Sequence, residues 1–142
     1  MANNPRPAIT VDAVVFREMD SVAQVLLVER KHEPFAGQWA IPGGLMEMDE
    51  TLETAAAREL LEETGLRATS LKQIHAFSAV DRDPRGRTIS VAFLVAVDPG
   101  EAPVAADDAK QVGWFPLDEL PPLAFDHTQI IQMAYRMKKN PL

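Results

Sequence analysis

Two β-branched apolar runs open the chain, residues 9–16 (ITVDAVVF) and 23–29 (AQVLLVE), separated by the polar stretch 17–22. They predict two strands joined by a short loop. Pro34, Gly37, Pro42, Gly43 and Gly44 then punctuate a loop that leads into a helix. That helix is expected over residues 51–64, carried by three consecutive alanines, Ala55, Ala56 and Ala57. Asp49 is the expected N-cap, with Glu50 and Glu53 in the first turn, where the helix dipole favours anions. Gly65 is the expected terminator, since glycine accepts the left-handed conformation that closes many helices. Two further strands, 72–80 and 88–97, flank the charged turn 81–87 (DRDPRGR). A loop over 98–110 leads to a short strand at 112–115. The last helix is expected to start at Asp126, with Gln129 completing a pair like a capping box. Ile130, Ile131, Ala134 and Met137 form its apolar stripe, and Arg136, Lys138 and Lys139 suit its C-terminal end. Mixed strands and helices without repeat, low-complexity tract or linker predict an α/β fold in one domain over 1–142, with the sheet between helices.

Composition narrows the chemistry. With 46% hydrophobic and 25% charged residues in 142, the chain reads as ordinary globular protein long enough to bury a core. It has no cysteine, which excludes disulfides, thiolate zinc sites and cysteine nucleophiles and suits a reducing compartment. No apolar run approaches the roughly 18 residues needed to cross a membrane. Residues 1–7 are polar and proline-bearing, unlike a signal peptide, so a cytoplasmic location is expected. The net charge of −7 argues against a nucleic-acid partner, which demands clustered basic surface. It also means that a phosphorylated substrate would need local cations, and metal ions can supply them.

The expected first helix carries the distinctive feature. At about 100° per residue, Glu62 lies about 60° to one side of Glu59 and Glu63 about 40° to the other. The three carboxylates therefore share one face with Leu52, Ala55, Ala56 and Leu66 nearby. Like charges at these spacings each cost a helix about 0.2–0.5 kcal/mol. A site that keeps them near apolar atoms calls for cations, and hard oxygen ligands suit Mg²⁺ or Mn²⁺. An acidic triplet alone is most often a solvated face; its surroundings change that reading.

Those surroundings are Gly44, five residues, Glu50, seven residues, Arg58-Glu59-Leu60, one residue, Glu62-Glu63, one residue, Gly65-Leu66. All seven fixed identities and both aliphatic positions of the Nudix hydrolase signature are met, and the chain resembles that family. Three further segments, 39–44 (WAIPGG), 82–86 (RDPRG) and 123–127 (LAFDH), are similar to its ADP-ribose pyrophosphatase branch and to the related sensor domains of regulators of NAD metabolism. The likeness runs from about residue 7 to residue 135. It implies a Nudix-type α/β/α sandwich, with a mixed sheet between helices.

The resemblance also implies roles. Glu59 and Glu63 would ligate metal directly, Glu62 through water or a second ion, and the Gly43 carbonyl would complete the site. Arg58 would hold Glu50 and orient the acids, a bidentate task suited to guanidinium. Gly44, Glu50 and Gly65 would be structural. Metal ions, Mg²⁺ or Mn²⁺, would neutralise pyrophosphate oxygens and activate water, with a carboxylate as general base. An additional acid outside the signature is expected at Glu101, Asp107 or Asp108, with Asp81 and Asp83 weaker candidates. Arg82, Arg85 and Arg87 are candidates for phosphate or ribose contact, and Phe35 or Trp39 for stacking on adenine. His32, His75 and His127 read as packing, capping or surface residues.

The expected activity is hydrolysis of ADP-ribose to AMP and ribose 5-phosphate. Alternatives are another nucleotide, such as a nucleoside triphosphate, or a non-catalytic nucleotide-sensing module. The regulators carry a DNA-binding domain after the Nudix-like part; this acidic chain ends at residue 142, soon after its last apolar stripe, and its acids are intact, which favours an enzyme. A calcium-binding structural helix would need a loop pattern this chain lacks. The partner is expected to be a small nucleotide, without nucleic acid or membrane, and the resemblance also admits a homodimer.

Overall fold

The computed structural model describes residues 6–105 and 109–140, and within these the strands and helices form two sheets and two long helices. The elements are β1 (Ala8–Val14), β2 (Phe16–Met19), β3 (Val22–Arg30), β4 (Trp39–Ala40), β5 (Gly43–Leu45), α1 (Leu52–Thr64), β6 (Ala68–Phe77), β7 (Thr88–Val97), β8 (Ala109–Pro116) and α2 (His127–Lys139). The first sheet has the order β5-β1-β7-β6. Its central pair, β1 and β7, is parallel, and both outer strands are antiparallel to their neighbours, so the sheet is mixed. In the second sheet β3 is central, with β2 and β4 on one edge and β8 on the other, all antiparallel.

Strand alternation separates two cores. Val11, Ala13 and Val15, with Val91, Phe93 and Val95 of β7, pack with Ala55, Ala56 and Leu60 of α1. Val14 and Ala92, one residue out of phase, pack with Ile130, Ile131 and Ala134 of α2. The two helices thus cover opposite faces of the central strands. Full burial of a side chain such as Phe93 or Leu60 stabilises by about 1.5–3 kcal/mol each.

Several expected boundaries shift for identifiable reasons. The polar stretch after residue 16 is not a loop: β2 pairs with β3, and the turn is made by Asp20 and Ser21, both at positive φ (53° and 66°). Consecutive positive φ values give the turn a twist that matches a hairpin. The strand expected at 72–80 starts earlier, at Ala68, and ends at Phe77. Its half-buried positions, Ala68, Leu71, Ile74 and Phe77, recur every third residue, because register shifts between Ala68 and Ser70 and between Gln73 and His75 reset the alternation. Short strands β4 and β5 replace part of the expected loop, and β8 extends beyond 112–115 at both ends.

Neither helix start is quite as expected. Thr51, not Asp49, caps α1: its hydroxyl accepts from the Thr54 amide at 3.1 Å. Glu53 lies in the first turn, whereas Glu50 stands before the helix. Gly65 closes α1 in the left-handed conformation (φ 74°) and donates to the Leu61 carbonyl. At α2, Asp126 holds the cap position but makes no side-chain cap bond, so no capping box with Gln129 forms. Its carboxylate is engaged elsewhere, as described below. Among the described residues no helix is long and apolar enough to cross a membrane.

Candidate active site

The acidic face of α1 is organised by one guanidinium. Arg58 grips Glu50 with two nitrogens, Nε to Oε2 at 3.0 Å and Nη2 to Oε1 at 2.6 Å. Nη1 reaches Glu59 at 2.9 Å and Glu62 at 3.1 Å, and Nη2 also donates to the Leu45 carbonyl at 3.0 Å. A planar fork of five N–H donors allows this fan; a lysine has no equivalent geometry. The Arg58 contact holds the Glu50 carboxyl below its ordinary pKa, and the same contact, followed by Glu59, raises that of Arg58.

The two half-buried acids, Glu59 and Glu63, are one turn apart and meet the Gly43–Gly44 segment of β5. The Gly43 amide donates to Glu63 Oε2 at 2.7 Å. Gly44 lies so close to Glu59 that an added Cβ would fall 2.7 Å from its Oε1. At Gly43 a Cβ would fall 2.1 Å from the backbone oxygen of Val11. Both glycines are therefore demanded by close approach, one to a carboxylate and one to a neighbouring strand. Burial raises the Glu59 pKa, against the opposing pull of Arg58. Glu62 is exposed. The set offers only hard carboxylate oxygens, the donor chemistry of Mg²⁺ and Mn²⁺. As the side chains stand, no group of three acids, histidines or cysteines among the described residues is placed to hold an ion, and Arg58 and the Gly43 amide engage oxygens of Glu59, Glu62 and Glu63.

Beside this segment opens a cleft of about 170 Å³, lined by residues that include Gly43, Gly44, Glu63, Arg30, Arg85 and Phe125. The Phe125 ring has two guanidinium neighbours, with Arg30 at 5.0 Å and Arg85 at 5.4 Å from its centroid. Arg30 donates from Nε to the Pro34 carbonyl at 2.7 Å. Burial, then the charge of Arg85, pulls its pKa down. Arg85 is paired with Asp83 at 2.9 Å. Burial works to raise the Asp83 pKa, but bonds from the Arg85 side chain and amide outweigh it, and the net shift is downward.

The remaining candidates fall in different places. Arg82 lines the cleft, but its guanidinium is buried in a two-pronged pair with Asp126, at 2.9 and 2.6 Å. Arg87 is exposed and donates to the Ala79 carbonyl. Phe35 packs edge-on against Phe125 (4.8 Å between centroids), so it supports the cleft wall. Trp39 is turned into the α2-side core against Phe115. Glu101 and Asp81 are exposed, and Asp107 and Asp108 lie outside the described residues. His75 is exposed and His32 sits on the cleft rim. His127 is buried and accepts the Ile41 amide on Nδ1 at 3.0 Å. Sequence reading missed Arg30, and it missed Asp12 and Ser90, a buried hydrogen-bonded pair on β1 and β7. The one available signal was polar residues interrupting otherwise apolar strand runs.

Comparison with known proteins gives a consistent picture. The family model described as NUDIX domain matches residues 6–134. An ADP-ribose pyrophosphatase of Methanocaldococcus jannaschii is 46% identical over 94% of this chain and 76% of its own length. An ADPR responsive transcriptional repressor of Acinetobacter baylyi is 31% identical over 96% of the chain, which spans only 56% of that protein. Among solved structures, the NUDIX domain of Shewanella oneidensis NrtR, complexed with ADP ribose, superposes with a TM-score of 0.85 at 33% identity, covering 95% of this chain and 90% of that one.

Proposed function

Because the chain belongs to the NUDIX domain family, we propose that it hydrolyses ADP-ribose to AMP and ribose 5-phosphate with the help of Mg²⁺ or Mn²⁺. In this reaction water attacks one phosphorus of the diphosphate and the anhydride P–O bond breaks, with the leaving phosphate carrying away the electron pair. Glu59 and Glu63 would hold the cation, Glu62 would assist from the exposed side, and the backbone of Gly43 borders the same place. Bound there, a divalent cation supplies the positive charge that offsets the diphosphate oxygens and polarises the attacking water.

The chain's own groups do the rest. Arg58 gathers the acids on one face of the helix through its four acceptors, and Glu59 and Glu62 would turn from the guanidinium toward the cation as it binds. The Gly43 amide anchors Glu63 at the wall of the cleft, where its carboxylate would serve as the proton acceptor. Arg30 and Arg85 bring cationic charge to a chain of net charge −7 at the place where a diphosphate would lie. The observation that carries this reading is the pair Glu59 and Glu63, seated against Gly44 and Gly43 at the edge of a cleft that holds two guanidinium groups.

The archaeal relative favours ADP-ribose as substrate. The repressor relative favours a second reading, a module that senses ADP-ribose without cutting it. Measuring AMP release across ADP-ribose, other nucleoside diphosphate derivatives and nucleoside triphosphates separates them. Turnover of ADP-ribose that stops with EDTA and returns with Mg²⁺ or Mn²⁺ is expected. Tight binding of ADP-ribose with no product under any divalent cation would favour the sensing module.

A further inference from the structure

The face of the central strands that meets α2 changes character along its length. Side chains at 10, 12 and 14 of β1 share that face, as do those at 88, 90 and 92 of β7. Val14 and Ala92 pack beneath α2. Thr10, Asp12, Thr88 and Ser90 instead line the cleft, with Thr10 and Ser90 opposite each other in the parallel register. Asp12 is 5% exposed and Ser90 1%. Apolar residues ordinarily fill such positions on central parallel strands. A buried carboxylate there is costly unless something compensates it.

Its partners within the chain compensate only in part. The Ser90 hydroxyl donates to Asp12 Oδ2. His127 Nε2 stands 3.6 Å from Oδ1, too far for a hydrogen bond. Because His127 Nδ1 accepts the Ile41 amide, the ring proton of the neutral imidazole sits on Nε2 and adds no full positive charge. Oδ1 therefore has no hydrogen-bond donor among the described residues. A second phosphate would be repelled here and an apolar base would find few contacts. Hydroxyl groups fit, since the Asp12 carboxylate accepts from them, the Ser90 and Thr88 hydroxyls, whose hydrogens are committed within the chain, can still accept, and the Thr10 hydroxyl can donate or accept.

We propose that Asp12, held by Ser90, accepts hydrogen bonds from the hydroxyls of a ribose of the substrate and makes the cleft selective for ribose over deoxyribose. This rests on the reading of the cleft as an ADP-ribose site. The substrate contains two riboses, one on each side of the diphosphate, and the experiment distinguishes them. Steady-state kinetics of the wild type are compared on ADP-ribose and on two analogues, one lacking the 2-hydroxyl of the adenosine ribose and the other that of the terminal ribose. One analogue is expected to lose about tenfold to a hundredfold in kcat/KM, mainly through KM, the range for a hydrogen bond to a charged group. Asp12→Asn should impose a similar loss on ADP-ribose and little further loss on that same analogue. Equal turnover of all three by the wild type, or an equal loss on parent and analogue in Asp12→Asn, overturns the proposal.

Calorimetry separates this failure from failure of the enzyme reading. Ribose 5-phosphate and 2-deoxyribose 5-phosphate, in Mg²⁺, are titrated into wild type and Asp12→Asn. If ADP-ribose is not hydrolysed, a wild-type preference for the ribose form that vanishes in Asp12→Asn still upholds the role of Asp12, while equal binding of both sugars together with equal handling of the deoxy analogues rejects it. Should Asp12→Asn fail to fold, Ser90→Ala leaves the carboxylate unanchored and is expected to weaken the preference; an unchanged preference there counts against the proposal.

Discussion

Arg58 and Arg82 both spend their guanidinium groups on carboxylates, yet they do different work. Arg58 is partly exposed (22%) and fans across Glu50, Glu59, Glu62 and the Leu45 carbonyl, all within 13 residues of it. Arg82 is 4% exposed and commits two nitrogens to one acid, Asp126, 44 residues away. The first gathers the acids of the proposed metal site from neighbours in sequence. The second ties the charged turn to the start of α2 and thereby helps set the shape of the cleft. The two helix starts follow suit: α1 is capped by its own Thr51, whereas α2 gives up the cap of Asp126 to the long-range pair. The Arg58 cluster is local and the Arg82 pair is distant.

The largest test of that division is Glu63→Gln. The amide oxygen of glutamine can still accept from Gly43, so the fold should hold, while turnover is expected to fall by about 10²–10⁴, the usual weight of a positioned proton acceptor. Wild-type kcat in this variant would remove Glu63 from the chemistry. On the architectural side, Asp126→Ala strands a buried guanidinium and should cost about 3–5 kcal/mol in chemical denaturation, the range for breaking one side of a buried pair. A loss below about 1 kcal/mol would make the Arg82 pair no stronger than a surface bridge.

The two adjacent glycines sharpen the comparison within three bonds of each other. Gly43→Ala meets rigid strand backbone and should lower the melting temperature strongly, whereas Gly44→Ala meets the movable end of Glu59 and should lower kcat with a much smaller thermal effect. Similar melting temperatures for both variants would contradict this assignment. His127 supplies a pH test. Burial depresses its pKa below the ordinary 6.5, so the unfolded chain binds the proton more readily. Its contribution to stability is complete above about pH 6.5 and is lost as pH falls through the folded-state value. Melting curves between pH 7.5 and 5 should show this decline, and His127→Gln should flatten it. The smallest effect belongs to the cap: Thr51→Ala should cost about 1 kcal/mol.

What was legible in the sequence divides along the same line. Glu59, Glu62, Glu63 and Arg58 share a helix, and a fixed rotation per residue is enough to place them together. The end of α1 at Gly65 was equally local. Its cap lies two residues beyond the expected one because Asp49 and Thr51 both have side chains that cap, and only the backbone turn decides between them. The cleft could not be read in this way. Arg30, Asp12, Ser90 and Phe125 come from four separate segments, and strand register, not spacing, brings them to one place. The displaced limits of β6 have a similar origin, since two register shifts break the period of two on which strand reading relies.

The fan of bonds from Arg58 has a consequence for how the molecule tolerates scarcity. Crowded anions on one helical face would strain a protein deprived of counter-ions, but here an internal cation already shares the load with Glu50, Glu59 and Glu62. A chelator should then silence the protein without unravelling it, and activity should return as soon as divalent ions do, with no refolding in between.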